Sequence, residues 1–332
     1  MLNDKSILVT GGTGSFGQKF VKTVLENYRP RRVIVYSRDE WKQSEMQKNP
    51  DFNGGQVRYF LGDVRDKDRM SLAMRGVDYV IHAAALKQVP AAEYNPHEFI
   101  KTNVDGATNV VEASLQAGVQ KVVALSTDKA VNPVNLYGAT KLCSDKIFVA
   151  ANSYSGEGGT IFSVVRYGNV VGSRGSVIPL FSSQRNTGSL TITNPDMTRF
   201  LITLERGVEF VLECLESMVG GELFVPKIPA CTVGDIAQVI APDCEWNTIG
   251  LRPGEKMHEI LIPEDESRNV LEFENHYVVQ PIQSFWGNKI GILGGVSSSD
   301  GFKYASNCNC ENLNKEDLET LLIDFLPERK NP

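Results

Sequence analysis

The feature that most restricts the fold of this chain is a glycine-rich turn near its N-terminus. A short apolar run, Ile7–Val9, is followed by the turn Thr10-Gly-Gly-Thr-Gly-Ser-Phe-Gly17 and then by a helical stretch, Gln18–Asn27. Glycine permits a tight turn, lets backbone N–H groups approach a pyrophosphate at a helix N-terminus, and lets the helix pack closely on the strand. Between a strand and a helix, the pattern therefore predicts a dinucleotide-binding βα unit.

Apolar, strand-like runs alternate with helical stretches through the first half of the chain. Beyond the first strand, the predicted strands are Arg32–Tyr36, Val57–Phe60, Val77–Ile81, Lys121–Leu125 and Thr160–Arg166. The predicted helices include Phe99–Ala117 and Tyr137–Asn152. Such alternation predicts an α/β fold with a doubly wound parallel sheet of the Rossmann type and right-handed crossovers.

The pattern changes after Arg166, where loops containing Gly, Pro and Ser begin. We expect a nucleotide-binding domain over residues 1–166 and a smaller C-terminal substrate domain over most of residues 167–332. One segment, Glu222–Val225, is predicted to return as a strand to the large sheet. The glycine-rich segment 291–295 has no clear helix after it and is interpreted as a loop, and Lys315–Phe325 is interpreted as an amphipathic helix.

Composition excludes several classes of function. The 332 residues carry a net charge of -6, whereas nucleic-acid binding favours a basic surface, so no nucleic-acid partner is expected. No apolar segment approaches 18 residues, and no secretion signal begins the chain, so we expect a cytoplasmic protein without a membrane partner. The six cysteines and four histidines form no set with metal-ligand spacing, and no metal is assigned.

The end of the second strand bears on cofactor choice. An NAD site places a carboxylate there for the ribose 2′-OH, but this chain continues with Ser37, Arg38 and, one turn later, Lys42. Two cations match the charge of a 2′-phosphate, which favours NADP, although Asp39 or Glu40 would suit NAD if either turned inward. Asp63 and Val64 follow the third strand, where they fit an adenine contact or a simple turn.

A second motif follows the strand at 121–125. Ser126-Thr127-Asp128-Lys129 closes that strand, and Tyr137 and Lys141 share one helix face four residues apart. A nearby ammonium favours the phenolate of a tyrosine, which then takes a proton from a hydroxyl. Because one tyrosine suffices for a dehydrogenase, the acid and base at 128 and 129 suggest a further proton transfer. The plainer interpretation is two solvated charges and an ordinary helical tyrosine.

These motifs resemble the extended short-chain dehydrogenases/reductases that act on nucleotide sugars, and most of all the family of inverting UDP-N-acetylglucosamine 4,6-dehydratases. The resemblance covers about residues 3–280 and rests on six blocks in register. They are His82–Lys87, Ser126–Lys129, Asn135–Lys141, Arg166–Ser176, Met197–Phe200 and Arg252–Lys256. It implies an NADP-dependent hydro-lyase acting on UDP-N-acetylglucosamine in pseudaminic acid biosynthesis and flagellin glycosylation, and a homo-oligomer, a hexamer by resemblance.

The resemblance also implies a role for each catalytic residue. Tyr137 deprotonates the sugar 4-OH, Thr127 bonds to the same hydroxyl, and Lys141 holds the nicotinamide ribose. After hydride transfer from C4 to NADP, Lys129 removes the C5 proton and Asp128 helps protonate the departing 6-OH. Hydride then returns to C6, and C5 is reprotonated on the opposite face, which inverts it. For Lys129 to be a base, we expect the like charges of Lys141 and the nicotinamide ring to depress its pKa.

The binding residues follow from the sequence motifs and from the family resemblance. Those expected to contact the cofactor are Gly11, Thr13, Gly14, Ser15, Phe16, Gly17, Ser37, Arg38, Lys42, Asp63, Val64, Ala83, Lys87, Tyr137 and Lys141. Those implied for the substrate are Lys87, Asn169, Arg174, Val177, Ile178, Thr191, Arg199, Arg252 and Glu255. A diphosphate favours guanidinium partners, although Arg199 and Arg252 would also suit surface salt bridges. The chain departs from the family pattern at Gln88, at Leu201 and in the Cys308–Glu311 tail.

Two other functions compete with this prediction. A nucleotide-sugar 4-epimerase or a retaining 4,6-dehydratase would use the same tyrosine and lysine, but Asp128 and Lys129 argue against the epimerase. The related retaining enzymes carry Asp-Glu at that place. A non-catalytic NADP-binding scaffold would not require Tyr137, which this chain keeps.

Overall fold

The computed structural model describes residues 1–156, 158–173, 175–282, 294–308 and 310–326. Arg174 and most of the glycine-rich segment 291–295 therefore lie outside the described residues. The strands, in chain order, are β1 (Ser6–Thr10), β2 (Arg32–Ser37), β3 (Val57–Leu61), β4 (Tyr79–His82), β5 (Lys121–Thr127), β6 (Ile161–Tyr167), β7 (Asn169–Val170), β8 (Ser189–Ile192), β9 (Thr198–Ile202), β10 (Leu223–Pro226), β11 (Ala230–Thr232), β12 (Glu245–Thr248), β13 (Ile260–Ile262), β14 (Val270–Glu272), β15 (His276–Val279), β16 (Val296–Ser297) and β17 (Tyr304–Ala305).

The helices connect these strands in the expected alternation. They are α1 (Ser15–Asn27), α2 (Glu40–Lys48), α3 (Lys67–Ala73), α4 (Val89–Tyr94), α5 (Pro96–Phe99), α6 (Gly106–Ala117), α7 (Leu136–Ser155), α8 (Val177–Gln184), α9 (Leu204–Ser217), α10 (Val233–Ile240) and α11 (Lys315–Leu321). A π-helical segment, Ile100–Asp105, joins α5 to α6, so the single helix expected over Phe99–Ala117 contains a local widening. No helix in the described part of the chain is long and apolar enough to cross a membrane.

One ten-stranded sheet organises the molecule, in the order β16-β14-β15-β10-β6-β5-β4-β1-β2-β3. From β3 to β10 the neighbouring strands are parallel, and two groups of packed helices, α3–α6–α7 and α1–α9, flank them. The predicted α/β fold with a doubly wound parallel sheet is therefore confirmed. The order β3-β2-β1-β4-β5-β6 reverses direction between β1 and β4, and open sheets bind ligands outside the strand ends at such a point.

The second half of the chain contributes both to this sheet and to a separate layer. β10 lies parallel to β6, and β15, β14 and β16 extend the sheet with antiparallel pairing. Smaller sheets pair β9 with β7 and β11, β8 with β12, and β13 with β17.

Two hydrophobic cores correspond to these two parts. The larger core surrounds the ten-stranded sheet, and the smaller core packs α8, α10 and α11 around β8 and β9. Leu201, one of the departures from the family pattern, is buried in the smaller core with 1% of its surface exposed. The smaller core thus positions the segments that face the carboxyl ends of the parallel strands.

Candidate active site

A cavity of about 680 Å³ lies at the carboxyl ends of the parallel strands. Every residue that the sequence assigned to the cofactor lines this one cavity, from the glycine-rich turn through the end of β2 to α7. The apolar strand runs place these residues together, because the C-terminal ends of neighbouring parallel strands share one edge of the sheet.

The glycine-rich turn is shaped to receive a phosphate. Gly11 has φ +65°, which glycine adopts without strain, and a Cβ on it would lie 3.0 Å from the backbone of Ala84. Gly14 donates its N–H to the Gly11 carbonyl at 2.8 Å, which closes the turn. Helix α1 begins at Ser15 without a side-chain cap, so its first N–H groups are left for a ligand.

The end of β2 presents cations beside hydroxyl groups. Thr13 Oγ1 and Ser37 Oγ are buried and 2.8 Å apart, and their hydrogen bond joins the glycine-rich turn to the end of β2. Lys42 Nζ pairs with Asp39 Oδ2 at 2.7 Å, whereas Arg38 is half exposed and lies 3.7 Å from Asp63 Oδ2. Asp39 caps helix α2, because its carboxylate accepts from the Lys42 N–H at 3.0 Å.

The carboxylate of Asp63 is hydrogen-bonded to a neighbouring arginine. Its carboxylate accepts from Arg65 Nε at 3.0 Å and from Arg65 Nη2 at 2.7 Å. Burial raises the pKa of Asp63, but the hydrogen bonds and charges of Arg65 and Arg38 outweigh burial and leave the pKa below its ordinary value. Asp63 is therefore a carboxylate at neutral pH, and its neighbour Val64 is buried.

Buried polar contacts hold the loop after β4 against the turn. Thr10 Oγ1 lies 2.9 Å from His82 Nδ1 and accepts from the N–H groups of Ala83 and Ala84. Burial, and then the charge of Lys141, lowers the pKa of His82 to about 3, so its imidazole is neutral and serves as a structural partner. Asn103, in the π-helical segment, clamps Leu86 by accepting from its N–H and donating to its carbonyl, both at 2.9 Å.

The proposed catalytic residues meet at the end of β5. Asp128 is fully buried, and its Oδ1 accepts from Thr127 Oγ1 at 2.8 Å and from Lys129 Nζ at 3.0 Å. Tyr137 and Lys141 lie in the first turns of α7, which Asn135 caps by accepting from the Gly138 N–H. A Cβ on Gly138 would collide with the Lys129 carbonyl, so glycine at 138 lets α7 approach the 128–130 turn closely.

Burial of Tyr137 changes the protonation that the sequence suggested. Burial raises the pKa of Tyr137 to about 12, and the charge of Lys129 and a hydrogen bond with Thr127 lower it only in part. The cation that acts on the tyrosine is thus Lys129 and not Lys141. Lys141 Nζ instead donates to the Leu125 carbonyl at 2.7 Å. The expected effect of a nearby ammonium comes from Lys129, but burial outweighs that charge and keeps the pKa of Tyr137 above its ordinary value.

Nearby carboxylates raise the pKa of Lys129, which opposes the depression expected from Lys141 and a bound nicotinamide ring. Burial lowers the pKa of Lys129, but the carboxylates of Asp128 and Glu259 outweigh burial and raise it above its ordinary value. Lys129 Nζ lies 3.6 Å from Glu259 Oε1 in addition to its contact with Asp128. Sequence patterns did not single out Glu259, because 130 positions separate it from Lys129.

A second cavity of about 280 Å³ adjoins the first and is lined by loops from the C-terminal half. Lys129 and Gln88 lie on its wall. So do seven of the nine implied substrate residues, namely Lys87, Asn169, Val177, Thr191, Arg199, Arg252 and Glu255. Ile178 does not, because its side chain is 2% exposed and packs in the smaller core. Arg174 lies outside the described residues.

A doubly wound sheet with a glycine-rich first turn, and with a Tyr-x-x-x-Lys pair at the ends of its central strands, is the arrangement of short-chain dehydrogenases/reductases. This chain is a protein of that class. The family model described as "Polysaccharide biosynthesis protein" matches residues 7–281.

Comparison with individual proteins narrows this class to one family. An inverting UDP-N-acetylglucosamine 4,6-dehydratase of Campylobacter jejuni subsp. jejuni serotype O:23/36 is 55% identical over 326 residues, which cover 96% of this chain and 97% of that protein. A UDP-glucose 4-epimerase of Rickettsia felis is 43% identical, with 98% of this chain and 97% of that protein covered. The X-ray structure of Pen from Bacillus thuringiensis is 36% identical, with a TM-score of 0.88 and 98% of both chains covered. The chain belongs to the family of inverting UDP-N-acetylglucosamine 4,6-dehydratases.

Proposed function

We propose that this chain is a hydro-lyase that dehydrates UDP-N-acetylglucosamine across C5 and C6 and inverts C5, with NADP as its recycled cofactor. The product is a UDP-2-acetamido-2,6-dideoxy-4-hexulose. One observation carries the proposal: the Asp128–Lys129 pair lies beside the Tyr137–Lys141 pair, and Lys129 lines both cavities. A reaction limited to oxidation at C4 needs only the second pair.

The residues of the larger cavity fit a nicotinamide dinucleotide. The turn at 11–17 and the open N-terminus of α1 suit its pyrophosphate, Asp63 and Val64 its adenine, and Arg38 its 2′-phosphate. When bound, the cofactor supplies the acceptor for a hydride from C4 and the donor of a hydride to C6. Lys141, whose Nζ donates to the Leu125 carbonyl, lines the same cavity and would hold the nicotinamide ribose.

The protein's own groups then move protons. As a phenolate, Tyr137 takes the proton of the 4-OH, and its hydrogen bond with Thr127 orients it. The 4-ketone acidifies the C5 proton. The Lys129 ammonium passes a proton to Asp128 Oδ1 along their hydrogen bond, so that the resulting amine removes the C5 proton and the resulting carboxylic acid protonates the departing 6-OH. Asp128 Oδ1 touches both Thr127 and Lys129, so one buried carboxylate links the two proton-transfer sites.

The smaller cavity suits the UDP part of the substrate. Arg199 and Arg252 provide guanidinium groups for a diphosphate. Glu255, whose Oε1 lies 3.9 Å from Arg252 Nη1, would bind the uridine ribose. Thr191 adds a hydroxyl on the same wall. NMR of the product formed from UDP-N-acetylglucosamine tests the proposal directly: a 6-deoxy-4-keto sugar with inverted C5 supports it, and any other skeleton contradicts it.

A first prediction concerns cofactor balance. Because the hydride taken from C4 returns to C6, purified enzyme with a catalytic amount of NADP should convert an excess of substrate completely. The absorbance of reduced nicotinamide should show no lasting rise during turnover. Accumulation of NADPH in proportion to product would mean that the hydride never reaches C6, and the dehydratase proposal would fail.

A second prediction tests the choice of NADP. Arg38→Ala should weaken NADP binding by about 1.5 to 3 kcal/mol, the size of a hydrogen bond between charged groups, and should affect NAD much less. Calorimetric titration with both cofactors measures the difference. Arg58→Ala is the matched control. Arg58 lies on the neighbouring strand β3, and its guanidinium donates to the backbone carbonyls of Gly55 and Val57. Equal losses for NAD and NADP would contradict the assignment and direct attention to Lys42.

The 43% identity to a UDP-glucose 4-epimerase supports one alternative, a nucleotide-sugar 4-epimerase. An epimerase keeps the 6-OH and returns hydride to C4, whereas the proposed reaction loses the 6-OH as water. Supplying the enzyme with UDP-glucose and with UDP-N-acetylglucosamine, and examining C6 of each product by NMR, separates the two. The homo-oligomer and the place in pseudaminic acid biosynthesis stay predictions from the resemblance, and the cytoplasmic location stays a prediction from the sequence.

A further inference from the structure

Glu259 is a buried acidic residue that none of the assigned roles explains. It lies immediately before β13, with 3% of its surface exposed, and lines the smaller cavity. Its backbone is fixed on both sides by Ser306: the Glu259 N–H donates to Ser306 Oγ at 2.9 Å, and the Ser306 N–H donates to the Glu259 carbonyl at 2.8 Å. The position of its carboxylate is therefore set by the fold of the C-terminal half.

The carboxylate of Glu259 faces cations. Its Oε1 lies 3.6 Å from Lys129 Nζ and 4.0 Å from Arg199 Nε, whereas its Oε2 finds no hydrogen-bond partner among the described residues. A buried carboxylate is costly unless cations and hydrogen bonds compensate it. Glu259 thus lacks compensating hydrogen bonds on the wall of the smaller cavity, and Lys129 is the nearer of the two cations that face it.

We propose that Glu259 is a positioning residue which, together with Asp128, holds the Lys129 amine between two carboxylates as an ammonium ion. Asp128 approaches it from the end of β5 at 3.0 Å, and Glu259 approaches it from the segment before β13. Lys129 lines both cavities, so the two contacts place its amine where sugar and cofactor sites meet. The role in C5 chemistry rests on the proposed function, whereas the contact itself does not.

The electrostatic consequence has a definite sign. The groups that face Lys129 are the carboxylates of Asp128 and Glu259, the cations Arg199, Lys87 and Lys256, and the phenol of Tyr137. Removing one of the two carboxylates leaves the three cations opposed by Asp128 alone. The pKa of Lys129 should then fall, so its amine becomes free at lower pH.

Reactivity of the amine measures this without any activity assay. The protein without cofactor or substrate is treated with trace acetic anhydride over a pH series, and acetylation of Lys129 is quantified by mass spectrometry relative to an exposed lysine, Lys146. In Glu259→Gln the midpoint for Lys129 should move down by about one pH unit or more. In Glu259→Asp, which keeps a carboxylate, it should move less.

A matched control distinguishes charge at Glu259 from charge anywhere in the cavity. Glu255 lines the same cavity but lies beside Arg252, so Glu255→Gln should leave the Lys129 midpoint unchanged. An unchanged midpoint in Glu259→Gln, with melting temperature equal to the wild type, would overturn the proposal. Equal shifts in Glu259→Gln and Glu255→Gln would also overturn it, since the effect would then be general.

Exchange at C5 links the contact to the reaction. Since a base acts only when deprotonated, the pH at which C5 deuterium exchange reaches half its maximum should move down in Glu259→Gln together with the acetylation midpoint. A merely structural loss would lower the rate at every pH and leave that midpoint in place. If the wild type forms no dehydrated product, the proposed function fails and the acetylation result still stands; if only the shift is missing, the role of Glu259 fails.

Discussion

Lys129→Ala should separate oxidation at C4 from loss of water at C5 and C6. Tyr137 and Lys141 remain in this variant, so the 4-OH proton can still be removed, but the C5 proton loses its base. The overall rate should fall by about 10² to 10⁴. In a single turnover, reduced nicotinamide should accumulate on the enzyme, and solvent deuterium should enter C5 far more slowly than in the wild type.

The folding of Lys129→Ala needs its own control. Asp128 and Glu259 are 0% and 3% exposed, and both lose their shared cation when Lys129 is truncated. Lys129→Arg keeps a positive charge between them, and a guanidinium stays protonated at any working pH, so it should preserve stability while still lacking a base. Wild-type C5 exchange in a folded Lys129→Arg protein would show that the base is another residue, with Asp128 examined next.

Tyr137→Phe should block the reaction one step earlier. The phenolate oxygen of Tyr137 accepts the 4-OH proton. Phenylalanine has no such oxygen, so hydride transfer from C4 has no accompanying proton transfer. We expect a loss of about 10² to 10⁴ in rate, with no transient reduced nicotinamide and no C5 exchange. Stopped-flow absorbance in a single turnover distinguishes this absence of reduced nicotinamide from the accumulation expected in Lys129→Ala.

Stability should change little in Tyr137→Phe. The ring of Tyr137 packs with Ala92 and Phe99 in a small apolar cluster, and phenylalanine keeps those contacts. Tyr154→Phe is the matched control, because Tyr154 lies on the same helix and 72% of its surface is exposed. A normal burst of reduced nicotinamide in Tyr137→Phe would remove the tyrosine from its proposed role.

Lys129 affects the pKa of Tyr137 in addition to its role at C5. Burial keeps the phenol protonated in the protein by itself, and Lys129 is the cation that counteracts burial. Lys129→Ala therefore removes the C5 base and also raises the pKa of Tyr137, which slows the first step at neutral pH. Lys129→Arg retains that charge, so comparing the two variants separates the two contributions of one lysine.

Much of the cofactor site follows from local sequence. Apolar runs specify the parallel strands, the glycines at 11, 14 and 17 specify the turn, and a spacing of four residues places Tyr137 and Lys141 on one face of α7. The sequence-assigned cofactor residues line one cavity because each follows a strand end, and parallel strands bring those ends to one edge. Periodicity and turn chemistry act over a few residues, so the sequence alone determined this part.

Tertiary structure alone decided the electrostatics and the substrate side. Glu259 reaches Lys129 across 130 positions, and Ile178 turns into the smaller core although its neighbour Val177 lines the cavity. The antiparallel extension by β14–β16 was likewise not expected from the strand pattern. A pKa depends on burial and on charges within a few ångströms, and these are set by how distant segments pack, which spacing along the chain does not encode.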